Sequence, residues 1–377
     1  MHIVLAPDSY KGSLSSIQVC EQMKKAIHAG NPNDIVVCKP MADGGEGTLE
    51  SMLYSAGGEK VYVSCTGPLG EKRTSWYVLL RDGTAVIECA NVAGLLLVPA
   101  SHRHPDHVTT YGIGEMIAHA LDSGCTNLMI TLGGSSSNDG GLGMLQALGM
   151  QAYDCKGDEV GIYGVDLFDV QTVDFSRLHE KLHQSVIYIA SDVENPLTGP
   201  KGASYVYGPQ KGATSEQVRR YDEALAHYGA CVEAKCSQSL MMQPGAGAAG
   251  GLGFALMVLG GEIRSGANLV AEMIGLKEAI EDADVVITGE GQSDDQTAYG
   301  KAPSYVAELA REHNVPTILL SGSLAGDRTK LNDRFTACFS IVPGPATLTE
   351  CMERAKEYIY QSTYQVRNIW SCKKDRD

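Results

Sequence analysis

A run of glycines, carboxylates and one lysine follows an apolar segment late in the chain. Residues 283–303 read ADVVITGEGQSDDQTAYGKAP. The apolar part predicts a buried strand, and ligands of parallel α/β sheets bind where strands end. Carboxylates can hold Mg²⁺ there, and a lysine can neutralise a phosphoryl oxygen. We therefore predict a metal–phosphate site, with a solvated loop as the alternative for this stretch taken alone; its candidate residues are Gly289, Glu290, Gly291, Asp294, Gly300 and Lys301.

A second polar loop follows the first apolar segment of the chain. Asp8, Ser9 and Lys11 come directly after Ile3–Ala6 and before a predicted helix that Ser13 or Ser15 could cap. Backbone N–H groups at a helix N-terminus bind anions. This loop predicts a site for a carboxylate or phosphate, with Lys11 as the counter-charge. An ordinary capping turn with an exposed lysine is the alternative.

Two further loops combine glycines with polar groups. Asp43 and Glu46 alternate with three glycines after the segment 35–38, and two adjacent carboxylates repel unless a cation or donors balance them. We interpret this loop as a metal or base site, or else as a turn leading into a helix. The other loop contains Gly133, Gly134 and the serines Ser135, Ser136 and Ser137. It predicts a nest that donates N–H and O–H groups to phosphate, with a serine-rich surface turn as the alternative.

Two glycine-rich stretches give weaker signals. Residues 245–250 match G-x-G-x-x-G, but Pro244 precedes them instead of a strand, so a dinucleotide site is poorly supported. A phosphate-facing turn or close helix–sheet packing both fit. Residues 199–212 contain Lys201 and Lys211 and, taken alone, indicate a solvated loop.

The order of predicted elements indicates the fold class. Strand, loop and helix alternate at both ends of the chain, which is typical of a doubly wound Rossmann/flavodoxin-like parallel sheet. The middle of the chain begins instead with short strands joined by turns. We predict two α/β domains: a discontinuous one formed by residues 1–60 and 283–377, and a second one, 61–282, inserted into it.

Composition excludes several classes of partner. The net charge of −15 and the pI of about 5.1 argue against nucleic acid or an anionic membrane as the main partner. The eleven cysteines show no C-x-x-C pair and indicate reduced thiols in the cytoplasm. The N-terminus lacks the basic and apolar regions of a signal peptide. We expect a cytoplasmic enzyme that acts on a small molecule.

Taken together, these loops are similar to those of the bacterial class I glycerate kinase family. The resemblance spans nearly the whole chain. Its matching segments are APDSYKGSLS (6–15), ADGGEGT (42–48), TGPLG (66–70), TTYGIGE (109–115), GGSSSNDGGLGMLQALG (133–149), SDVENPLTGPKGA (191–203), YGPQKGA (207–213), PGAGAAGGLG (244–253) and ITGEGQSDDQT-x-x-GK-x-P (287–303). The chain departs from the family at Gln292 and Ser293, where members commonly carry Arg-Ile.

The resemblance implies ATP- and Mg²⁺-dependent phosphorylation of D-glycerate, usually at the 2-hydroxyl. On that basis Asp192 or Asp43 is expected to take the hydroxyl proton. Lys11 and Lys301 are expected to neutralise charge, and Glu290 and Asp294 to hold Mg²⁺.

We expect glycerate to be bound with the help of Asp8, Ser9, Lys11 and Asn195, and phosphate with the help of Gly133–Ser137, Gly289 and Gly291. A homodimer stays open. Two alternatives are an NAD(P)-dependent hydroxy-acid oxidoreductase and a non-catalytic protein that binds an organic acid.

Overall fold

The computed structural model describes residues 1–295, 297, 301–326 and 328–374. Gly300, which the sequence places in the late glycine–carboxylate loop, lies outside the described residues. The strands are β1 His2–Leu5, β2 Ile35–Cys38, β3 Glu59–Thr66, β4 Lys72–Leu79, β5 Ala85–Glu88, β6 Asn127–Thr131, β7 Gln151–Tyr153, β8 Thr172–Asp174, β9 Val186–Ala190, β10 Glu262–Arg264, β11 Val285–Ser293, β12 Thr317–Leu324 and β13 Ala337–Ser340.

Helices separate most of the parallel strands. They are α1 Ser16–Gly30, α2 Thr48–Ser55, α3 Cys89–Ala93, α4 Tyr111–Asp122, α5 Leu142–Ala147, α6 Ala203–Tyr207, α7 Ser215–Cys236, α8 Leu252–Val258, α9 Gly266–Met273, α10 Leu276–Glu281, α11 Ala302–Glu312, α12 Arg328–Asn332, α13 Leu348–Glu353 and α14 Ala355–Lys374. Within the described ranges, no helix combines the length and apolar character needed to cross a membrane.

The chain divides into two compact units. The first contains residues 1–43, 50–57 and 267–377, and the second contains residues 44–49 and 58–266. This division assigns 267–282 to the first unit, whereas the sequence-based boundaries assign that segment to the inserted domain. A grouping by proximity does not test which segments fold together, so the domain boundaries stay a prediction.

The first unit is built on a fully parallel sheet with the strand order β13-β12-β11-β1-β2. Successive strand residues point to opposite faces. Ile318 and Leu320 therefore join Ile3 in one apolar cluster with α1 and α14, while Leu319 packs with Ala307 of α11 on the other face. The sheet is covered on both sides, which confirms the predicted α/β class.

A capping box fixes where α1 begins. The Ser15 hydroxyl accepts a hydrogen bond from the Gln18 N–H at 3.2 Å, and Gln18 Oε1 accepts one from the Ser15 N–H at 3.0 Å. Of the two caps considered from sequence, Ser15 is the one used. The loop that carries Asp8, Ser9 and Lys11 therefore lies between the end of β1 and a defined helix start.

The second unit contains a mixed six-stranded sheet. Its order is β10-β9-β6-β5-β4-β3, with antiparallel pairing at β3–β4 and β4–β5 and parallel pairing elsewhere. The short strands predicted after residue 60 form the antiparallel edge. One apolar cluster joins this sheet to α4, α5, α7 and α8. A separate two-stranded sheet pairs β7 with β8.

The glycine-rich stretch 245–250 is buried and serves packing within the second unit. A Cβ on Gly247 would lie 2.2 Å from the Pro196 carbonyl oxygen, and one on Gly250 would lie 2.1 Å from that of Ser137. Both distances are shorter than any real Cβ contact. Of the two interpretations left open by the sequence, this geometry favours close packing.

We predict that Gly250→Ala destabilises the second unit by about 2–4 kcal/mol, from a strained left-handed backbone and a Cβ–carbonyl clash. The matched control is Gly260→Ala. Gly260 also has a positive φ, +86°, but a Cβ there would meet nothing within 4 Å, so only the backbone cost of about 1–2 kcal/mol remains. Urea unfolding of both variants measures the difference, and equal losses would contradict the packing role.

Candidate active site

The pairing of β1 with β11 brings two predicted loops side by side. Leu5 is the register partner of Ile287. Beyond the end of β1, the Ala6 N–H donates to the Ile287 carbonyl at 2.9 Å, and the Asp8 N–H donates to the Gly289 carbonyl at 2.8 Å. Residues 8–13 and 288–295 therefore meet at the carboxyl ends of neighbouring strands.

A cavity of about 860 Å³ opens in the first unit where these loops meet. Its size is within the range of small-molecule sites. Its lining combines charged and apolar residues. We refer to the charged ones as the charged side, which contains Asp8, Lys11, Asp43, Glu290, Asp294, Lys301 and Arg328, and to the others as the apolar side, which includes Val342, Pro345, Leu348 and Met352. The structure thus brings together most of the site residues predicted in this unit.

Lys11 and Asp43 form an ion pair at the mouth of the cavity. Lys11 Nζ lies 3.1 Å from Asp43 Oδ2, and the Lys11 side chain is largely exposed. The charge of Asp43 raises the pKa of Lys11. The pair keeps Lys11 cationic and near the cavity, where an anionic ligand would meet it.

Asp8, the carboxylate of the loop after β1, is buried. Burial, reinforced by the charge of Asp43, raises its pKa to about 7, although the Ser9 N–H and Lys11 oppose the shift. The Ser9 N–H donates to Asp8 Oδ1 at 2.6 Å. An acid with a pKa near neutrality can gain and lose a proton under working conditions, as a general base must.

Glu290 is buried and is held by two hydroxyl groups. Its Oε1 accepts hydrogen bonds from Thr297 Oγ1 at 2.6 Å and from Ser293 Oγ at 2.9 Å. Ser293 also contacts Ser321 Oγ at 2.5 Å. Burial raises the pKa of Glu290, while the Thr297 bond and the charge of Lys301 oppose the shift. Sequence reasoning identified Glu290 but not Ser293, Thr297 and Ser321, which orient it.

Lys301 lies between two carboxylates. Its Nζ is 3.9 Å from Glu290 Oε2 and 3.8 Å from Asp294 Oδ1. The Lys301 ammonium group thus lies near one oxygen of each carboxylate. Such a pair of carboxylates also fits Mg²⁺, because this ion commonly takes one or two carboxylates and completes its shell with phosphate and water. Among the described residues, no three His, Cys, Asp or Glu side chains converge on a metal position.

Gly289 and Gly291 were predicted in a loop, but they lie within β11, which continues to Ser293 because it pairs with β12 over this length. The two glycines are placed differently. A Cβ on Gly289 would lie 1.9 Å from the Leu320 carbonyl oxygen, so this glycine permits the close approach of β11 and β12. Gly291 lines the cavity beside Lys11, whose N atom a Cβ there would meet at 3.4 Å. Gly291 is therefore the better candidate for contact with a ligand.

The serine loop of the second unit is tied into the protein. Ser136 Oγ donates to the Ala93 carbonyl at 2.9 Å. Lys211 Nζ donates to Ser135 Oγ at 2.9 Å and to the Ser137 carbonyl at 2.6 Å. Ser135–Ser137 are buried, Gly133 is half-buried and Gly134 is exposed. The hydroxyls of Ser135 and Ser136 are therefore engaged by internal bonds, whereas Ser137 Oγ is buried without a hydrogen-bond partner among the described residues. Gly134 carries the exposed backbone.

The prediction of a solvated loop at residues 199–212 is wrong for Lys211. This side chain is buried, and burial lowers its pKa to about 8 although Cys89 and Asp139 oppose the shift. Gly212 has a φ of +92°, and a Cβ there would lie 2.1 Å from the Arg103 carbonyl oxygen. The compact Gly-Pro-Gln-Lys-Gly turn was the available signal, but nothing in it told a buried lysine from an exposed one.

Asp192 and Asn195 follow β9 in the second unit. Asp192 Oδ1 accepts a hydrogen bond from the Gly266 N–H at 3.1 Å. Asn195 Nδ2 donates to the Lys201 carbonyl at 2.7 Å, and its Oδ1 accepts from the Tyr207 hydroxyl at 2.7 Å. Each side chain supports the loop that carries it, and their predicted roles toward a substrate stay predictions.

Comparison with known proteins adds to this geometry. A model of the glycerate kinase family matches residues 3–371. A glycerate 2-kinase from Escherichia coli K12 is 43% identical over 372 residues, covering 98% of this chain and 97% of its own. A glycerate kinase from Bacillus subtilis 168 is 41% identical over 369 residues, covering 97% of both chains.

A solved structure is similar over the same length. A crystal structure from Salmonella typhimurium LT2, named for glycerate kinase 2, has a TM-score of 0.88 at 39% identity and covers 100% of this chain and 99% of its own. The resemblance inferred from the loops is confirmed, and the chain belongs to the glycerate kinase family.

Proposed function

We propose that this protein transfers the γ-phosphoryl group of ATP to D-glycerate, at the 2-hydroxyl. The observation that carries the proposal is the cavity of the first unit, where two lysines and four carboxylates converge at the ends of β1, β2 and β11 in a member of this family. Phosphoryl transfer needs alignment and charge neutralisation more than covalent help from the protein. The charged side of the cavity is suited to both.

The nucleotide and the acid divide this cavity in our proposal. A volume of about 860 Å³ exceeds what a three-carbon acid fills. The apolar residues of the lining, which include Val342 and Leu348, suit the adenine ring of ATP. Lys301 binds the phosphate oxygens of the nucleotide, and Lys11 with Ser9 binds the glycerate carboxylate. Glu290 and Asp294 hold Mg²⁺, which when bound neutralises charge on the phosphates. The predicted phosphate contact at the Gly134 backbone of the second unit stays a separate prediction.

Three carboxylates compete for the role of base. The sequence named Asp43 and Asp192, and Asp8 joins them because its pKa of about 7 suits proton transfer near neutrality. Asp43 is engaged by Lys11, and Asp192 accepts the Gly266 N–H. We favour Asp8, which lines the cavity and has a pKa of about 7, as the group that accepts the hydroxyl proton, with Asp43 holding Lys11 in place.

Phosphorus NMR on the purified protein with ATP, Mg²⁺ and D-glycerate tests the proposed reaction. We expect a new phosphomonoester signal whose proton coupling is that of 2-phosphoglycerate. Coupling of the phosphorus to the two protons on C3, instead of the single proton on C2, would identify the 3-phosphate. Unchanged ATP in the presence of bound glycerate would favour a non-catalytic acid-binding protein.

Asp8→Asn should lower kcat on the order of 10²-fold or more, because an amide cannot accept the proton. In the wild type, kcat/KM should fall below about pH 7 as Asp8 becomes protonated, because kcat/KM reports the pKa values of the free enzyme. The pH profiles of kcat/KM for Asp8→Asn, Asp43→Asn and Asp192→Asn assign the role. If Asp8→Asn keeps turnover while one of the other two loses it, the base is the residue whose change abolishes turnover.

A stability measurement checks the Asp8 titration without using activity. The folded pKa is raised, so the native state holds the proton more tightly than the unfolded state between about pH 3.8 and 7. Wild-type stability should therefore fall as pH rises through this window. Asp8→Asn should lack that loss and gain relative thermal stability at pH 8 compared with pH 4. Parallel melting-temperature profiles for the two proteins would contradict the shift.

Cys351 gives a probe of nucleotide binding, because it lines the apolar side of the cavity. A non-hydrolysable ATP analogue with Mg²⁺ should slow alkylation of Cys351 several-fold by covering it. Alkylation of Cys155, an exposed cysteine of the second unit, should not change. Peptide mass mapping over time measures both rates. If a saturating concentration of the analogue does not protect Cys351, the adenine ring of the nucleotide binds elsewhere.

We also place the reaction in the cytoplasm, in line with the ten described cysteines, all of which are free thiols. ATP and D-glycerate are the only partners that the proposal requires, and a homodimer stays open.

A further inference from the structure

Two cysteines of the first unit lie together outside the proposed site. Cys38 ends β2, and Cys20 lies in α1. Leu5 connects them: it is the register partner of Cys38, and its carbonyl oxygen lies 3.6 Å from Sγ of Cys20. Cys38 also packs against the apolar cluster that contains Cys20. A cysteine of a helix and a cysteine of a strand are thus neighbours around the Leu5 carbonyl.

The two sulfur atoms have different surroundings. Cys20 is fully buried, and burial raises its pKa well above the ordinary value. Cys38 is partly exposed, and the neighbouring Cys20 thiol lowers the pKa of Cys38 to about 7. Lys24 and the Tyr54 hydroxyl also lower this pKa, whereas burial and Glu21 raise it. A partly exposed thiolate beside a protected thiol is the arrangement of an attacking and a resolving cysteine.

We propose that Cys38 and Cys20 form a peroxide-reactive dithiol that closes reversibly into a disulfide between β2 and α1. The Cys38 thiolate attacks a peroxide oxygen, forming an S–O bond and breaking the O–O bond with release of hydroxide. Cys20 then attacks the sulfenic sulfur, forming the S–S bond and releasing water. The two thiols lose two electrons and the peroxide gains them. An external dithiol reverses the change.

Closure has a direct route to the candidate active site. The Leu5 carbonyl that accepts the Cys20 thiol also accepts the Lys39 N–H at 2.7 Å, and the Met41 N–H donates to the Pro7 carbonyl at 2.8 Å. The segment between Cys38 and Asp43 is therefore tied to β1 and to the residue before Asp8. Disulfide closure withdraws Cys20 from Leu5 and shifts this segment. The predicted loss of kinase activity on oxidation rests on the proposed function.

The first test is the reactivity of Cys38 in the reduced, full-length protein. Cys338 is the matched control, since it lies in a strand of the same unit, is also partly exposed, and has a pKa that burial raises to about 11. Iodoacetamide at neutral pH should modify Cys38 at least about 10-fold faster than Cys338. Equal rates would overturn the proposal.

The second test identifies the oxidised product. After brief hydrogen peroxide treatment and blocking of free thiols, peptide mapping should find Cys20 linked to Cys38, and a phosphine reductant should remove the link. In Cys20→Ala, Cys38 should stop at the sulfenic acid and react with dimedone. Sulfinic acid at Cys38 in the wild type, without the link, would overturn the proposal even if the variant fails to fold. A link without loss of kinase activity would overturn only the coupling to Asp43.

Discussion

The pairing of β1 with β11 is the constraint on which the candidate site depends. These strands are far apart in sequence, yet the Leu5–Ile287 register sets the loop after β1 against the loop of β11. The Asp8 N–H bond to the Gly289 carbonyl continues the pairing past the end of β1. A parallel sheet ends its strands at one edge, so polar residues from distant segments gather there without any local sequence relation.

Burial and charge at this edge set the chemistry. Asp8 and Glu290 are both buried, and their pKa values are raised because little water solvates the ionised carboxylates. The lysines oppose this effect but do not cancel it. In the proposed reaction, a divalent cation and an anionic phosphate entering together would supply the missing charge balance, since the cation would favour the ionised acids while Lys301 would bind the phosphate. The cavity is therefore better matched to a metal–phosphate ligand than to a neutral one.

Hydroxyl groups and buried cations support the loops on which candidate residues lie. Ser293 and Thr297 fix Glu290 through Oε1 and leave Oε2 toward Lys301. Lys211 plays a comparable part in the second unit by holding Ser135 and the Ser137 carbonyl. In both places the sequence alone would assign these hydroxyl and ammonium groups to a ligand or to solvent, whereas the structure uses them to hold a side chain or the backbone in position. At position 293 this chain carries serine where family members commonly carry isoleucine, and the serine hydroxyl donates a hydrogen bond to Glu290.

The sequence by itself determined the α/β class, the glycerate kinase family and most of the polar residues around the cavity, because strand-end loops carry their chemistry in local residue type and spacing. It could not determine which of those residues meet. Asp8 and Glu290 are placed together by strand order, and their raised pKa values come from burial that depends on the whole sheet. The buried state of Lys211, the engagement of the Ser135 and Ser136 hydroxyls and the proximity of Cys20 to Cys38 likewise depend on packing between segments distant in sequence. A local pattern predicts what a side chain can do, whereas long-range packing decides which partner and how much water it meets.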